Sequence, residues 1–234
     1  MLYVSNSPMH QITTQQLTGL NDDHIATLAD GSKLHLDACS AWQAMQKAAY
    51  KDGIALAIAS SYRDFYRQQL IWNKKMAGEL KVKDLDNNVV PLSGLSELEQ
   101  IKAILLFSAL PATSRHHWGT EIDVFAPNLL PQESKLQLEP WEYEKDGPLY
   151  PLLTWLKTHA SQFDFYFPYD QYRSGVAAEP WHISYAPIAQ KCQSQMSADL
   201  VINTLSKHEI SGYTTIRQHI DMILSQYVNN VGAP

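Results

Sequence analysis

Apolar positions recur at helical spacing in several stretches of this chain, and short apolar runs lie between them. In residues 37–50, Ala38, Ala41, Trp42, Met45, Ala48 and Ala49 gather on one side. This predicts a helix with Asp37 as N-cap and Gly53 as its stop. Residues 54–59 are continuously apolar and predict a buried strand. Helical spacing returns over residues 64–77 through Phe65, Leu70, Ile71 and Met76. Residues 81–94 are polar and turn-rich, around Asp86-Asn87-Asn88, and predict a surface loop. Ser96-Glu97-Leu98-Glu99 has the form of a capping box ahead of a helix over residues 101–110. Short strands are predicted at residues 122–125, 163–167 and 181–185, with helices at 150–160, 197–205 and 214–228. The irregular stretch 128–148 is long enough to be functional. Helices and strands mix without regular βαβ alternation, so the expected class is α+β, a small central antiparallel sheet flanked by helices. The expected organisation is an N-terminal extension over 1–36 packed on the domain, a central domain over 37–186 and a helical extension over 187–234.

Composition narrows the field. A chain of 234 residues with 45% hydrophobic and 18% charged residues can bury a large core without disulfides or structural metal. The net charge of −6 and the lack of a long basic run argue against a nucleic-acid partner. No apolar run approaches the length of a membrane span. Met1 to Gln11 lack the charged and apolar regions of a secretory signal, so the compartment stays open between the cytoplasm and, with a signal removed, the cell envelope. Cys39 and Cys192 are far apart and are expected to be free and buried.

The chemistry lies in two segments. His116 and Asp123 fall within Ser114-Arg115-His116-His117-Trp118-Gly119-Thr120-Glu121-Ile122-Asp123, and His182 closes Glu179-Pro180-Trp181-His182. Two imidazoles and one carboxylate, with a further carboxylate nearby, form the donor set of a catalytic zinc whose fourth position is open. With only two cysteines, a closed thiolate site is excluded. Mixed nitrogen and oxygen donors suit Zn2+ best, and the expected place is a cleft on the sheet. Gly119 gives the backbone freedom to turn both His116 and Asp123 toward one ion. An offset of three would put Glu179 and His182 on opposite faces of a regular strand, so a bend at Pro180 is required. His117 is expected beside the site rather than as a ligand. His10, His24, His35, His159, His208 and His219 are expected to be core or surface residues.

At these positions the chain resembles the zinc D-alanyl-D-alanine carboxypeptidases of the VanY type, in the fold group that also holds lysostaphin-like peptidases and hedgehog. The pattern Ser-x-His-x-x-Gly-x-x-x-Asp matches Ser114, His116, Gly119 and Asp123. Glu-x-Trp-His matches Glu179, Trp181 and His182. A third block matches Ser60, Tyr62, Arg63 and Gln68. The blocks occur in the family's order over roughly residues 37–185. Glu121 departs from the alanine common there. On a strand it shares a face with Asp123, where it can pair with a base such as Arg115 or alter the ligand field.

The resemblance implies a zinc carboxypeptidase that removes terminal D-alanine from a peptidoglycan stem peptide or muropeptide. His116, Asp123 and His182 would be metal ligands and Glu179 the general base. Arg63 would hold a free carboxylate or a developing oxyanion, with Ser114, Gln68 and Tyr62 as further substrate contacts and Trp181 packed beneath His182. Two alternatives follow from the same fold group: a peptidoglycan endopeptidase, and a non-catalytic zinc-binding module.

Overall fold

Four short antiparallel strands carry the two chemical segments side by side. In a computed structural model describing residues 12–234, the order of elements is α1 (Thr14–Leu17), β1 (Ile25–Thr27), β2 (Lys33–His35), α2 (Cys39–Lys51), β3 (Ala57–Ser60), α3 (Phe65–Met76), α4 (Glu97–Leu105), β4 (Glu121–Phe125), α5 (Pro140–Tyr143), α6 (Tyr150–His159), β5 (Phe165–Tyr166), β6 (His182–Tyr185), α7 (Ala186–Gln195), α8 (Ala198–Leu205), α9 (Tyr213–Gln218) and α10 (Ile220–Ile223). The main sheet runs β3-β4-β6-β5, all antiparallel, and β1 and β2 form a separate hairpin. The expected α+β class is the observed one.

Register explains how the sheet makes a site. Asp123 lies opposite His182 and Glu121 opposite Ser184 across β4 and β6. Alternation therefore puts Glu121, Asp123, His182 and Ser184 on one face. Ile122, Val124 and Ile183 take the other face and are fully buried in a cluster with Trp42, Met45, Leu152 and Trp155 from α2 and α6. A second cluster joins Phe65, Trp72, Ile101 and Ile104 of α3 and α4 to Val201, Leu205, Ile216 and Ile223 of the C-terminal helices. One sheet face is thus anchored by apolar packing, while its polar face is left to the site.

Several boundaries differ from those expected, for identifiable reasons. Asp37 does not cap α2: Leu36–Ala38 is a 3₁₀ turn, the Asp37 amide donates to His35 Nδ1 at 3.1 Å, and the helix begins at Cys39 without a side-chain cap. Ser96 does form the capping box with Glu99, but its helix ends at Leu105. The strand expected at 54–59 is Ala57–Ser60, with its pairing to β4 shifted between Ile58 and Ser60. The C-terminal helix breaks into α9, α10 and a π-helical turn at Leu224–Val228. The β1–β2 hairpin and α7 were not anticipated. The hairpin's signal was Asp30-Gly31, where Gly31 takes φ +86° and Leu28 N–H donates to Ser32 O at 2.7 Å. Cys39 and Cys192 are both unpaired, Cys192 buried and Cys39 partly so. No helix among the described residues is long and apolar enough to cross a membrane.

Candidate active site

His116, Asp123 and His182 each offer one donor atom, and these atoms lie within 4.8 Å of one another. Their convergence has local causes. His116 sits in a 3₁₀ turn, Arg115–Trp118, that ends on Gly119 in the left-handed region (φ +68°), and the chain then enters β4. A Cβ on Gly119 would come 2.3 Å from Ile25 Cδ1 and 2.7 Å from the His35 backbone nitrogen, so the turn needs glycine for space as well as conformation. Glu179 precedes β6, and the His182 amide donates to Glu179 O at 3.1 Å. This tight turn through Pro180 and Trp181 brings Glu179 Oε2 to 3.3 Å from His182 Nδ1. The expected bend is there.

Hydrogen bonds on the outer sides of the two rings assign their inner nitrogens. His116 Nδ1 lies 2.8 Å from Ser61 O, and a carbonyl can only accept, so Nδ1 carries the hydrogen and Nε2 presents a lone pair. His182 Nε2 lies 2.8 Å from Glu121 Oε2. Burial opposes ionisation of Glu121, but Arg115 Nη2, 3.2 Å away, and hydrogen bonds from His182 and Ser184 outweigh it and take its carboxyl down to about 2. Glu121 is therefore an acceptor and His182 Nε2 donates to it, which turns Nδ1 toward Asp123 and Glu179, where it carries a proton or, in the neutral ring, a lone pair for a metal. The inner nitrogens face Asp123: His116 Nε2 is 3.5 Å from Oδ2, and His182 Nδ1 is 3.1 Å from Oδ1. Asp123 Oδ1 is buried without a hydrogen bond of acceptable geometry. Two ring nitrogens among buried carboxylates call for positive charge between them, a proton or a metal, and the donor set fits a divalent metal with imidazole preference.

The same crowding of carboxylates governs the titration of the two rings. Burial takes His116 down to about 3, so it is neutral at ordinary pH. Burial also opposes charge on His182, but the surrounding carboxylates of Asp123, Glu121 and Glu179 outweigh it and raise it well above the usual histidine value, so the ring holds a proton wherever a metal does not take its place. Three carboxylates around one ring call for positive charge, as a proton or as a metal. Burial raises the Glu179 carboxyl against the opposing pull of His182.

The remaining residues form the walls of a cleft of about 290 Å³ whose lining includes Arg63, Ser114, His116, Asp123, Glu179 and His182. Arg63 follows β3, with Nη1 donating to Gln68 Oε1 at 2.9 Å and Nη2 to Ser60 Oγ at 3.2 Å. Its backbone is gripped twice: the amide donates to His116 O at 3.1 Å, and the carbonyl accepts from His117 Nδ1 at 2.6 Å. Burial takes His117 down to about 4. Gln68 is buried, and its amide nitrogen donates to Ala109 O at 2.6 Å. Gln68 and Tyr62 are absent from the cleft lining. Gln68 backs Arg63, and Tyr62 packs edge-on against His24. Trp181 is buried against Tyr143 at the cleft edge.

Three participants were missed from sequence. Tyr169 O accepts from the Glu179 amide at 2.9 Å, and the Tyr169 ring stands edge-on to His182 with centroids 4.9 Å apart. Lys75, partly buried on α3, lines the cleft and donates to Ser108 Oγ at 2.6 Å. Lys83, from the loop at 81–94, also reaches the cleft and pairs with Glu139. The aromatic run before Glu179 hinted at Tyr169; a lysine on a helix carries no such signal. Of the histidines expected to be structural, His24 and His35 are buried neighbours with ring centroids 5.5 Å apart, and His10 lies outside the described residues.

Residues 31–188 match the family described as VanY, D-alanyl-D-alanine carboxypeptidase. Among curated proteins, an uncharacterised protein of Haemophilus influenzae is 42% identical over 121 residues, covering 51% of this chain and 92% of its own length. A D-alanyl-D-alanine carboxypeptidase of Enterococcus faecalis is 26% identical over 170 residues, covering 71% of this chain and 53% of its own length. Two solved structures share the fold at 24% identity. VanYB in complex with D-alanine-D-alanine has a TM-score of 0.51, covering 77% of this chain and 88% of that one. A mutant of the D,D-pentapeptidase VanY from the VanB-type resistance cassette, in complex with Zn(II), has a TM-score of 0.50, covering 73% and 84%.

Proposed function

The chain belongs to the VanY D-alanyl-D-alanine carboxypeptidase family, and from that premise we propose that it is a zinc-dependent carboxypeptidase releasing terminal D-alanine from peptidoglycan stem peptides. One observation carries the reading: two imidazole nitrogens and a buried Asp123 oxygen converge beside Glu179, with Arg63 on the wall of the same cleft. In this reading His116, Asp123 and His182 hold the metal and Glu179 stays off it as a base. The catalytic domain is the segment 37–186, with 187–234 as its helical extension; the family match over 31–188 supports that division.

When bound, zinc supplies Lewis acidity, polarising the scissile carbonyl and lowering the pKa of a water to roughly 7. Glu179 takes the proton of the attacking water and returns it to the departing amine of D-alanine, a role its raised carboxyl pKa suits. Arg63 is held by Gln68 and Ser60 and grips the substrate's free carboxylate with its guanidinium. A cation in that place favours a peptide terminus over an internal bond, which separates a carboxypeptidase from an endopeptidase. Lys75 adds positive charge to the wall, in keeping with an anionic peptide as substrate, while Lys83 is paired with Glu139.

The test is D-alanine release from pentapeptide and tetrapeptide stems by zinc-loaded protein, with C-terminally amidated peptides alongside. Release from free-acid peptides, lost on chelation and restored by zinc, is the expected result. The pentapeptide alone being cut would assign a D,D-enzyme, and the tetrapeptide alone an L,D-enzyme. Equal cleavage of amidated peptides would favour the endopeptidase, and zinc binding with no cleavage would favour a binding module.

A further inference from the structure

Glu121 stands where the family commonly has alanine, so an explanation of its presence has to come from this chain. It is fully buried. One oxygen, Oε2, receives His182 Nε2 at 2.8 Å. The other, Oε1, receives Ser184 Oγ at 2.6 Å and Thr120 Oγ1 at 3.0 Å and lies 3.2 Å from Arg115 Nη2. Arg115 is itself buried and occupied: it donates to Gln193 Oε1 and Tyr166 Oη at 2.5 and 2.7 Å, and to Ser184 Oγ at 2.9 Å, over the face of Trp118. Gln193 continues the chain of contacts, donating to Val228 O at 2.9 Å and Asn229 Oδ1 at 2.7 Å in the C-terminal segment. Arg115 touches the cleft wall, yet its donors point into this network.

We propose that Glu121 is a positioning residue for the metal centre: it fixes the His182 ring with Nδ1 toward the ion, makes that nitrogen a stronger donor, and is itself held by Arg115 and, through Gln193, by the C-terminal extension. The inference rests on the reading of His116, Asp123 and His182 as a metal site. Its physical basis is that a carboxylate accepting the outer N–H of a ligating imidazole sets the tautomer and orientation of the ring and raises its basicity. It also gives the C-terminal extension a part in the chemistry: α7 and the π-helical turn meet at Gln193 behind the ligand.

The test is zinc affinity by competition with a chromogenic chelator, together with the visible absorption of the cobalt-substituted protein. Glu121→Gln keeps the shape and a hydrogen-bond acceptor but removes the charge, and zinc is expected to bind roughly 10–100-fold more weakly, with a shifted cobalt spectrum. Ser184→Ala removes a partner of Glu121 and Arg115 but leaves the His182 contact. It is expected to weaken zinc binding by less than Glu121→Gln does, because the contact from Glu121 to His182 remains. Because Glu121→Gln leaves Arg115 buried without its counter-charge, the pair Glu121→Gln with Arg115→Met is measured as well, and the same loss of affinity is expected in it. A zinc Kd within about threefold of wild type in both Glu121 variants, with unchanged cobalt spectra, would overturn the inference and leave the proposed function standing. Wild-type protein that binds neither metal would instead overturn the metal reading on which both depend.

Discussion

In the proposed function, Glu179 and Arg63 divide the chemistry at the residue scale, one moving a proton and the other holding a charge. Removing the base should leave the metal in place, since Glu179 is separate from the three donors that converge. Glu179→Gln is therefore expected to lower kcat by about 10²–10⁴-fold with unchanged zinc content, read by D-alanine release and metal analysis on the same sample. Arg63→Ala removes charged hydrogen bonds worth about 1.5–3 kcal/mol each. A drop in kcat/KM of at least about tenfold is expected for free-acid peptides, with little change for amidated ones. Equal losses on both would mean that Arg63 does not recognise the terminus. The three donors that converge, His116, Asp123 and His182, were legible in sequence through the ordered motif blocks that resemble the family's; taken singly, none of them stood out. The supporting residues were not: nothing local ties His117 to the Arg63 carbonyl or Gln68 to the Arg63 guanidinium, because those contacts depend on how distant segments fold together.

At the scale of elements, β4 and the turn before it set the geometry. Gly119 ends the 3₁₀ turn with positive φ, against Ile25 and the backbone of His35. Gly119→Ala should cost on the order of 2–4 kcal/mol, from left-handed strain plus a clash with backbone that cannot rotate away. The expected signature is a lower urea midpoint together with weaker zinc binding, since the turn delivers His116; an unchanged midpoint would contradict this account of the turn. The strands at 122–125 and 181–185 were readable from polar and apolar alternation, and the capped helix from Ser96 and Glu99. What alternation could not reveal is that the polar face of β4 is buried too, with Glu121 and Asp123 at 0% and 6% exposure. A buried polar face and an exposed one have the same pattern. Apolar spacing over 214–228 did not report the break at His219, which ends α9 and begins α10, or the π-helical turn at Leu224–Val228.

At the scale of the whole molecule, burying histidines makes stability depend on pH. His117 has a folded-state value of about 4 against an ordinary 6.5, so the unfolded chain binds the extra proton between those limits. Stability contributed by keeping it neutral is present above pH 6.5 and is lost as pH falls toward 4, at up to about 1.4 kcal/mol per pH unit. Urea unfolding of zinc-loaded protein across that window should show a slope shallower by up to one proton in His117→Asn than in wild type, whatever the variant's absolute stability. An identical slope would mean that His117 is not held neutral.

The most direct measurement is D-alanine release from pentapeptide and tetrapeptide stems by wild type and Glu179→Ala, both carrying measured zinc. The account predicts about one zinc per chain in each protein, release by wild type alone, and abolition of release by chelation. Release by the Glu179→Ala variant at the wild-type rate, or zinc-loaded wild type that frees no D-alanine from any stem peptide, would contradict it.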